Sequence, residues 1–224
     1  MLVSEIVQRV RAAIDELMVN ESDFFEESDD ELNLTESIKS QIGYALNWLI
    51  ENAPQERLEG SMVTSWTSSQ AVSTGRFTID DDLMATVTLP DDILRLVSVR
   101  LSSWKYAPIP IAEQSPEFLM QLSRYARGSW DRPVTVLTHS GGQRVLEMYS
   151  ARNANDTLEI AFVKRPDVSI GINSGNEDVS VPVSLEGALV YEIAGLVMLG
   201  YREQVAQSLL AVAKELLVAV PQQG

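Results

Sequence analysis

The chain has 224 residues, 45% of them apolar, with a formal charge of -15 at pH 7, one histidine and no cysteine. This length and apolar content suffice for one large domain or two small ones with a sizeable core. The lack of cysteine excludes disulfides and Cys-ligated zinc, and the lone His139 excludes sites that need two imidazoles. We expect no signal peptide, because the N-terminal residues lack a basic region followed by an apolar run. We also expect no membrane span, because the longest apolar stretch, residues 188–201, is too short to cross a bilayer.

The negative charge is unevenly distributed along the chain. Residues 15–31 contain nine Asp or Glu and no Lys or Arg, whereas residues 95–152 contain eight Lys or Arg against four Asp or Glu. A strongly acidic surface disfavours non-specific nucleic-acid binding and is suited to a basic partner. The middle of the chain is the only part with the opposite character.

Two helices are predicted in the N-terminal part of the chain. Apolar residues recur every three or four positions over residues 2–17, and Ser4 is the expected N-cap of that helix. The acidic stretch 21–31 has no such period and predicts a loop. A second helix is expected to start at Thr35 and to end before Pro54, so that the two helices form a hairpin.

The middle of the chain predicts β structure. Residues 61–78 are rich in Ser and Thr and predict a long loop or an extended arm. Alternating apolar residues then predict antiparallel strands, which are 85–89, 95–101, 134–138, 145–150 and 158–163. Ser115 followed by Pro and Glu predicts the start of a short helix at about 116–127, closed by Gly128. A pair of glycines at 141–142 predicts the turn of a β-hairpin.

The C-terminal residues 171–224 again show helical periodicity, with a break at Gly200, and predict two helices. The predicted fold class is therefore α+β. Residues 1–60 and 171–224 form a helical bundle built from both chain ends in this prediction, and residues 61–170 form an inserted, antiparallel β-rich region.

Residues that carry chemistry are sparse in this sequence. Aspartates at 80–82 and 91–92 are compatible with a divalent cation, but their spacing does not match a calcium-binding loop and favours exposed turn acids. His139 precedes Ser-Gly-Gly and is interpreted as a turn residue. Neither a nucleophile elbow nor a phosphate-binding glycine motif occurs. We expect no metal, no cofactor and no catalytic residue, while a hydrolase built from scattered carboxylates stays an open alternative.

Basic and aromatic residues are interleaved in the middle of the chain, where guanidinium groups suit phosphates or carboxylates and aromatic rings suit stacking. One interpretation is a nucleic-acid- or glycan-binding module. The other is a protein interface in which the arginines pair with an acidic neighbouring subunit, since Arg and Trp are enriched among interface anchors. The candidate contact residues are Arg95, Arg100, Trp104, Arg124, Trp130 and Arg132.

Three stretches of the sequence carry a resemblance to a known family. They are Leu-Pro-Asp-Asp-Ile-Leu-Arg-Leu-Val at residues 89–97, the strand ending in Glu-Met-Tyr-Ser at 147–150, and residues 158–166 leading into the helix at 182–195. In this order of elements the chain resembles the head-to-tail adaptor or ring proteins of short-tailed bacteriophages, including the crAss-like group. The likeness covers most of residues 1–220.

The resemblance implies a helical bundle from both chain ends that carries a β-rich insertion. It also implies a structural virion protein of the neck or tail, assembled in the host cytoplasm and without enzymatic activity. About twelve copies would form a ring beneath the portal protein and extend the channel through which DNA passes. The expected partners are therefore further copies of this chain, the portal protein and other tail or neck proteins.

Overall fold

The computed structural model describes residues 1–17, 28–58, 63–67, 77–80, 82–123, 125–149, 151–166 and 178–218. The chain divides into two compact units. The helical unit is formed by Met1–Glu59 together with Pro166–Gly224, and the β unit is formed by Gly60–Arg165. The α+β class predicted from the sequence is confirmed.

The described residues contain five α-helices: α1 Val3–Leu17, α2 Ser28–Asn52, α3 Pro116–Gln121, α4 Glu186–Met198 and α5 Glu203–Val218. Single 3-10 turns occur at Gln55–Arg57 and Val183–Leu185. Among the helices of these residues, none combines the length and the apolar character that crossing a lipid bilayer requires.

Helix α4 forms the centre of the helical unit. Nine of its thirteen residues are buried, and it packs against α1, α2 and α5. The contact with α5 is close, because a Cβ atom placed on Gly195 would lie 2.6 Å from Cγ of Leu210. Only glycine leaves room for this approach of the two helices. Fully buried side chains elsewhere in the unit include Ile6, Ile14, Ile38, Ile42 and Leu49.

Arg57 ties the segment after α2 to the end of α5. Its guanidinium group donates hydrogen bonds to the carbonyl oxygens of Leu216, Leu217 and Ser184, and the bond to Leu217 is 2.7 Å long. The last carbonyls of a helix have no partner within the helix and carry its negative dipole end. Arg57 therefore satisfies the C-terminus of α5 from a distant part of the chain.

The predicted N-cap of the first helix is wrong. Helix α1 begins at Val3, so Ser4 lies inside its first turn. The carbonyl of Leu2 already accepts a helical hydrogen bond from the backbone N–H of Ile6 at 3.0 Å, which makes Leu2 the capping position.

The predicted start of the second helix is also wrong, although its predicted end before Pro54 is confirmed. Helix α2 begins at Ser28 rather than at Thr35, so part of the predicted loop is helical, and residues 21–27 lie outside the described residues. Leu34, one residue before the predicted start, is buried. The apolar pattern therefore located the helix but not its first residue.

The β unit contains eight strands in its described residues: β1 Val63–Thr67, β2 Phe77–Ile79, β3 Met84–Thr88, β4 Ile93–Leu101, β5 Ile111–Ala112, β6 Val134–Ser140, β7 Gln143–Tyr149 and β8 Leu158–Lys164. One sheet has the order β1-β8-β4, and the other has the order β2-β3-β7-β6-β5. All pairs are antiparallel except the two-residue pair of β5 with β6. Both sheets contribute to one core, which includes Val87, Leu146, Val99 and Ile160.

The Leu-Pro-Asp-Asp-Ile stretch connects the two sheets, since β3 ends at Thr88 in one sheet and β4 begins at Ile93 in the other. Arg144 of β7 holds this turn. Its guanidinium group donates hydrogen bonds to the carbonyl oxygens of Pro90, at 3.2 Å, and of Ile93. Its own carbonyl oxygen accepts a hydrogen bond from the backbone N–H of Leu89 at 2.8 Å.

The Ser/Thr-rich stretch 61–78 is not entirely the loop or arm that was predicted. It contains β1 and the start of β2, and its remaining residues lie outside the described residues. Strand β1 is an edge strand whose Thr64 and Ser65 are exposed, while Trp66 packs against the core. One inward side chain leaves too weak an alternation to be recognised in the sequence.

The predicted helix at 116–127 is shorter than expected. Its start is confirmed, since the Ser115 hydroxyl accepts a backbone N–H from the first turn at 3.2 Å. Helix α3 ends at Gln121, whose carbonyl accepts a hydrogen bond from Arg127 Nε at 2.9 Å and whose side chain accepts one from the Gly128 N–H at 2.8 Å. These bonds fold the following chain back onto the end of the helix.

The predicted hairpin is confirmed. Strands β6 and β7 pair from Val134 with Tyr149 to Ser140 with Gln143. Gly141 and Gly142 form the turn with φ angles of 59° and 81°, a conformation that favours glycine.

Candidate interaction surface

A tight turn presents Trp130 at the surface of the β unit. Ser129 and Arg132 exchange backbone hydrogen bonds of 3.1 and 2.9 Å, so Trp130 and Asp131 form the tip. The preceding Gly128 is required here, because a Cβ atom at this position would lie 2.8 Å from the carbonyl oxygen of Arg132. The Trp130 side chain is 39% exposed.

Two cations lie over the Trp130 ring. Nζ of Lys105 is 4.9 Å from the ring centroid, and Cζ of Arg152 is 5.1 Å from it. Both distances are within the range of attractive cation–π contacts. The backbone N–H of Lys105 also donates to the Trp130 carbonyl at 3.3 Å. We name Lys105, Trp130, Asp131, Arg132 and Arg152 the Trp130 cluster.

Asp156 brings the two cation-bearing segments together. Its buried carboxylate accepts hydrogen bonds from the Ser103 hydroxyl at 2.6 Å, the Ser102 hydroxyl at 3.4 Å and the Arg152 N–H at 2.7 Å. The Ser102 hydroxyl in turn accepts the N–H of Thr157 at 3.0 Å. The end of β4, which leads to Lys105, is thereby fixed against the loop that carries Arg152.

Asp131 is the anion of the Trp130 cluster. A hydrogen bond from the Ser129 hydroxyl lowers the pKa of its carboxyl group and outweighs the opposing effect of desolvation, and the charges of Lys105 and Arg132 add smaller contributions that also lower it. The carboxylate is therefore ionised at neutral pH. With three cations and one anion, the Trp130 cluster is net positive.

The six predicted contact residues do not all lie at this site. Trp130 and Arg132 belong to the Trp130 cluster, and Arg100 is close to it in the chain, at the end of β4 where it pairs in register with Glu159. Arg95 lies toward the other end of β4, roughly 17 Å from Arg100 along the strand. Arg124 lies outside the described residues.

Trp104 requires a correction. Its side chain is only 2% exposed and belongs to the core of the β unit, so it is not a surface anchor. Its backbone carbonyl oxygen lies 3.5 Å from a guanidinium nitrogen of Arg100. Trp104 therefore fixes the start of the segment that carries Lys105 rather than meeting a partner.

Sequence reasoning did not single out Lys105, Arg152 or Asp156 as a site. Lys105 and Arg152 belonged to the wider group of basic residues, and nothing in their spacing indicated that both would reach one tryptophan. Arg144 of the same group turns inward to hold the turn at Pro90. Charge alone does not distinguish an arginine that serves the fold from one at a surface.

Among the acidic candidates at 80–82 and 91–92, Asp81 lies outside the described residues, and the other four lie in or next to turns. Asp80 accepts the N–H of Met84 at 2.8 Å, and Asp92 pairs with Lys164 at 3.1 Å. Within the described ranges, no group of three or more Asp, Glu or His side chains is placed to hold a metal ion. His139 is exposed on β6 next to the hairpin turn.

Comparison with known proteins adds no assignment. No protein-family model matches the sequence, and neither does any curated protein. The geometry of the two units and of the Trp130 cluster is therefore the basis for a functional proposal.

Proposed function

We propose that this chain is a structural virion protein that assembles as a cyclic ring at the portal vertex of a short-tailed bacteriophage. In this role it joins the capsid portal to the tail and extends the DNA channel. The observation that supports the proposal is the order of the two units along the chain. Both chain ends build one helical unit, and residues 60–165 form a β unit inserted between them, as in the ring proteins that the sequence resembles.

The surface of the β unit supports a role in assembly. Several large apolar side chains between residues 104 and 132 are exposed, and Tyr125 is fully so. Exposed apolar groups near cations and aromatic rings are characteristic of protein interfaces. The exposed residues are Tyr106, Ile109, Leu119, Met120, Leu122, Tyr125 and Trp130.

The proposed partners follow from this role. Further copies of the chain form the ring of about twelve subunits, the portal protein lies above it, and other tail or neck proteins lie below it. The net charge of -15 suits a channel wall along which DNA passes without binding. The proposed location is the neck of the virion, and the proposal includes no enzymatic step.

Native mass spectrometry of the purified chain, alone and mixed with a candidate portal protein, tests this proposal. We expect a complex of the portal with about twelve copies of the chain, in keeping with a closed ring. An unrelated acidic protein of similar mass, mixed with the same portal, controls for non-specific charge effects. A chain that shows no more association with the portal than this control does would contradict the proposal.

A second candidate function is a nucleic-acid- or glycan-binding module, favoured by the positive charge of the Trp130 cluster. One observation argues against this function. Lys105 and Arg152 already contact the Trp130 ring, whereas stacking on a base or sugar needs a free ring face. Fluorescence anisotropy with labelled single-stranded DNA, and titration with a glycan panel, separate the two functions. Micromolar or tighter binding by the isolated monomer would favour the module.

A further inference from the structure

The two units differ sharply in charge. The helical unit contains six Lys or Arg and twenty-one Asp or Glu, a net charge of -15. The β unit contains eleven of each and is neutral overall. The whole net charge of the protein therefore belongs to the helical unit, while the Trp130 cluster is a positive surface on the neutral β unit.

Much of the positive charge of the helical unit is engaged within that unit. Arg9 pairs with Glu5 at 2.6 Å and with Glu186 at 3.0 Å. Arg57 binds carbonyl oxygens, and Arg11 donates to the Thr35 hydroxyl at 2.6 Å. Several carboxylates are meanwhile exposed on its described surface, namely Asp15, Glu16, Glu36, Glu51, Glu56, Glu203 and Glu215. This surface is suited to a cationic partner.

The Trp130 cluster is preorganised to meet carboxylates. The backbone bonds between Ser129 and Arg132, and the bonds to Asp156, fix the segments that carry its cations. Holding Lys105 and Arg152 over one ring reduces the side-chain entropy that is lost on binding. Nucleic acid is the other polyanion with matching chemistry, but a chain of charge -15 repels it at long range.

We infer that the Trp130 cluster of one copy docks on the acidic surface of the helical unit of a second copy. The contact is head-to-tail, since two different surfaces of the same chain meet. It rests on the proposed function, because a head-to-tail contact that closes by rotation generates a ring. Complementary charge favours this orientation of the two copies and disfavours contact of one acidic helical unit with another.

Charge reversal tests this contact. The variant carries Lys105→Glu and Arg152→Glu, and the matched control carries Lys164→Glu and Arg165→Glu. The control makes the same change of net charge at exposed positions of the β unit, roughly 20 Å away along β8. Sedimentation velocity of the full chain, over a range of protein and salt concentrations and with and without portal, measures the association. Far-ultraviolet circular dichroism confirms that each variant is folded.

We expect wild-type self-association to weaken with added salt. The Lys105/Arg152 variant should associate on the order of tenfold more weakly than wild type, because like charges then face each other, whereas the control should match wild type. Equal association of the variant and the control would overturn the inference. A wild-type chain that stays monomeric at every concentration and on the portal would also overturn it.

Cross-linking of the unmodified sequence gives evidence that does not depend on folding of a variant. Copies labelled with 15N are mixed with unlabelled copies and treated with a carbodiimide, which joins an amine to a carboxylate in direct contact. We expect Lys105 of one copy to be linked to a carboxylate within residues 1–59 or 166–224 of a differently labelled copy. Intermolecular links from Lys105 to carboxylates of residues 60–165 alone, or no such links, would overturn the inference.

Failure of this inference and failure of the proposed function give different results. A ring that forms on the portal with the Lys105/Arg152 variant overturns the inference and leaves the portal role intact. Copies that cross-link through Lys105 but ignore the portal support the inference and contradict the portal role. Loss of single-stranded DNA binding in the variant, with unchanged self-association, overturns the inference in favour of a nucleic-acid module.

Discussion

The carboxylate of Asp156 accepts a hydrogen bond of 2.6 Å from the hydroxyl of Ser103, and this bond joins two segments that are far apart in the sequence. The same carboxylate accepts the backbone N–H of Arg152 at 2.7 Å. The position of Arg152 over Trp130 thus depends on a buried acid that does not itself touch the ring. Substitution of Asp156 therefore tests whether this carboxylate holds the Trp130 cluster in place.

The substitution Asp156→Ala should loosen both segments. It removes the acceptor for three hydrogen bonds in a buried position, so we expect a loss of about 2–3 kcal/mol in the free energy of unfolding. Hydrogen exchange measured by mass spectrometry should increase in peptides that cover residues 102–105 and 152–157. The control Asp91→Ala, at an exposed turn position, should leave both peptides unchanged. Unchanged exchange in the Asp156 variant would show that the carboxylate does not hold the cluster.

The substitution Gly195→Ala should destabilise the helical unit. The added Cβ would lie 2.6 Å from Cγ of Leu210, so α4 and α5 must separate. We expect a cost of about 1–3 kcal/mol, the usual effect of overpacking, measured by urea unfolding. Gly187→Ala is the matched control on the same helix, because its Cβ would make an ordinary contact of 3.5 Å with Leu216. The control should be neutral or stabilising by up to about 1 kcal/mol, since alanine favours helix. Equal stability of the two variants would contradict the close approach.

Glu192 gives the helical unit a defined dependence on pH. Burial within α4 raises the pKa of its carboxyl group above the ordinary value of 4.5, against a smaller opposing effect of Lys214. The folded state therefore holds this proton more tightly than the unfolded state does. The associated stability is present below the ordinary pKa and is lost as pH rises through the raised pKa.

The substitution Glu192→Gln should remove this dependence and raise the free energy of unfolding at neutral pH, since a buried carboxylate charge is no longer formed. Chemical denaturation at a series of pH values from about 4 to 8, which begins near the ordinary carboxyl pKa and extends above it, measures this dependence. Glu215→Gln on α5 is the control, because Glu215 is exposed and its substitution should leave the shape of the pH profile unchanged. A Glu192 variant with the wild-type profile would contradict the prediction.

Arg57 should stabilise the C-terminal end of α5. The substitution Arg57→Ala removes the hydrogen bonds to the carbonyl oxygens of Leu216, Leu217 and Ser184, and we expect a loss of about 2–3 kcal/mol in the free energy of unfolding. The comparison variant is Arg9→Ala, whose exposed ion pairs contribute only about 0–1 kcal/mol. Thermal unfolding of both variants provides the test. A smaller loss for Arg57 than for Arg9 would rule out the capping role.

Local chemistry predicted several elements well. The glycine pair at 141–142 predicted the hairpin turn, and Ser115 followed by proline predicted the start of α3, because each depends only on neighbouring residues. The α+β class followed from helical periodicity at the two ends and alternation between them. Each of these patterns can be recognised from residues that are close together in the sequence.

Other features depend on contacts between residues that are far apart in the sequence, and local patterns do not predict such contacts. Strands β3 and β4 are neighbours in the chain but belong to different sheets, and this is set by the turn that Arg144 holds. The Trp130 cluster needs Lys105 and Arg152 to meet at one ring, and that meeting depends on Asp156. Trp104 was misassigned because exposure cannot be read from residue type.

The insertion of the β unit between the two halves of the helical unit has a consequence for how the chain folds during synthesis. Helices α1 and α2 are synthesised before residues 60–165, whereas α4, against which both pack, is synthesised after those residues. Their apolar side chains, Ile6 and Ile42 among them, stay without their final partners during that interval. The β unit is one continuous segment, Gly60–Arg165, so it is able to fold before the helical unit is complete. Helices α1 and α2 need protection from aggregation until then.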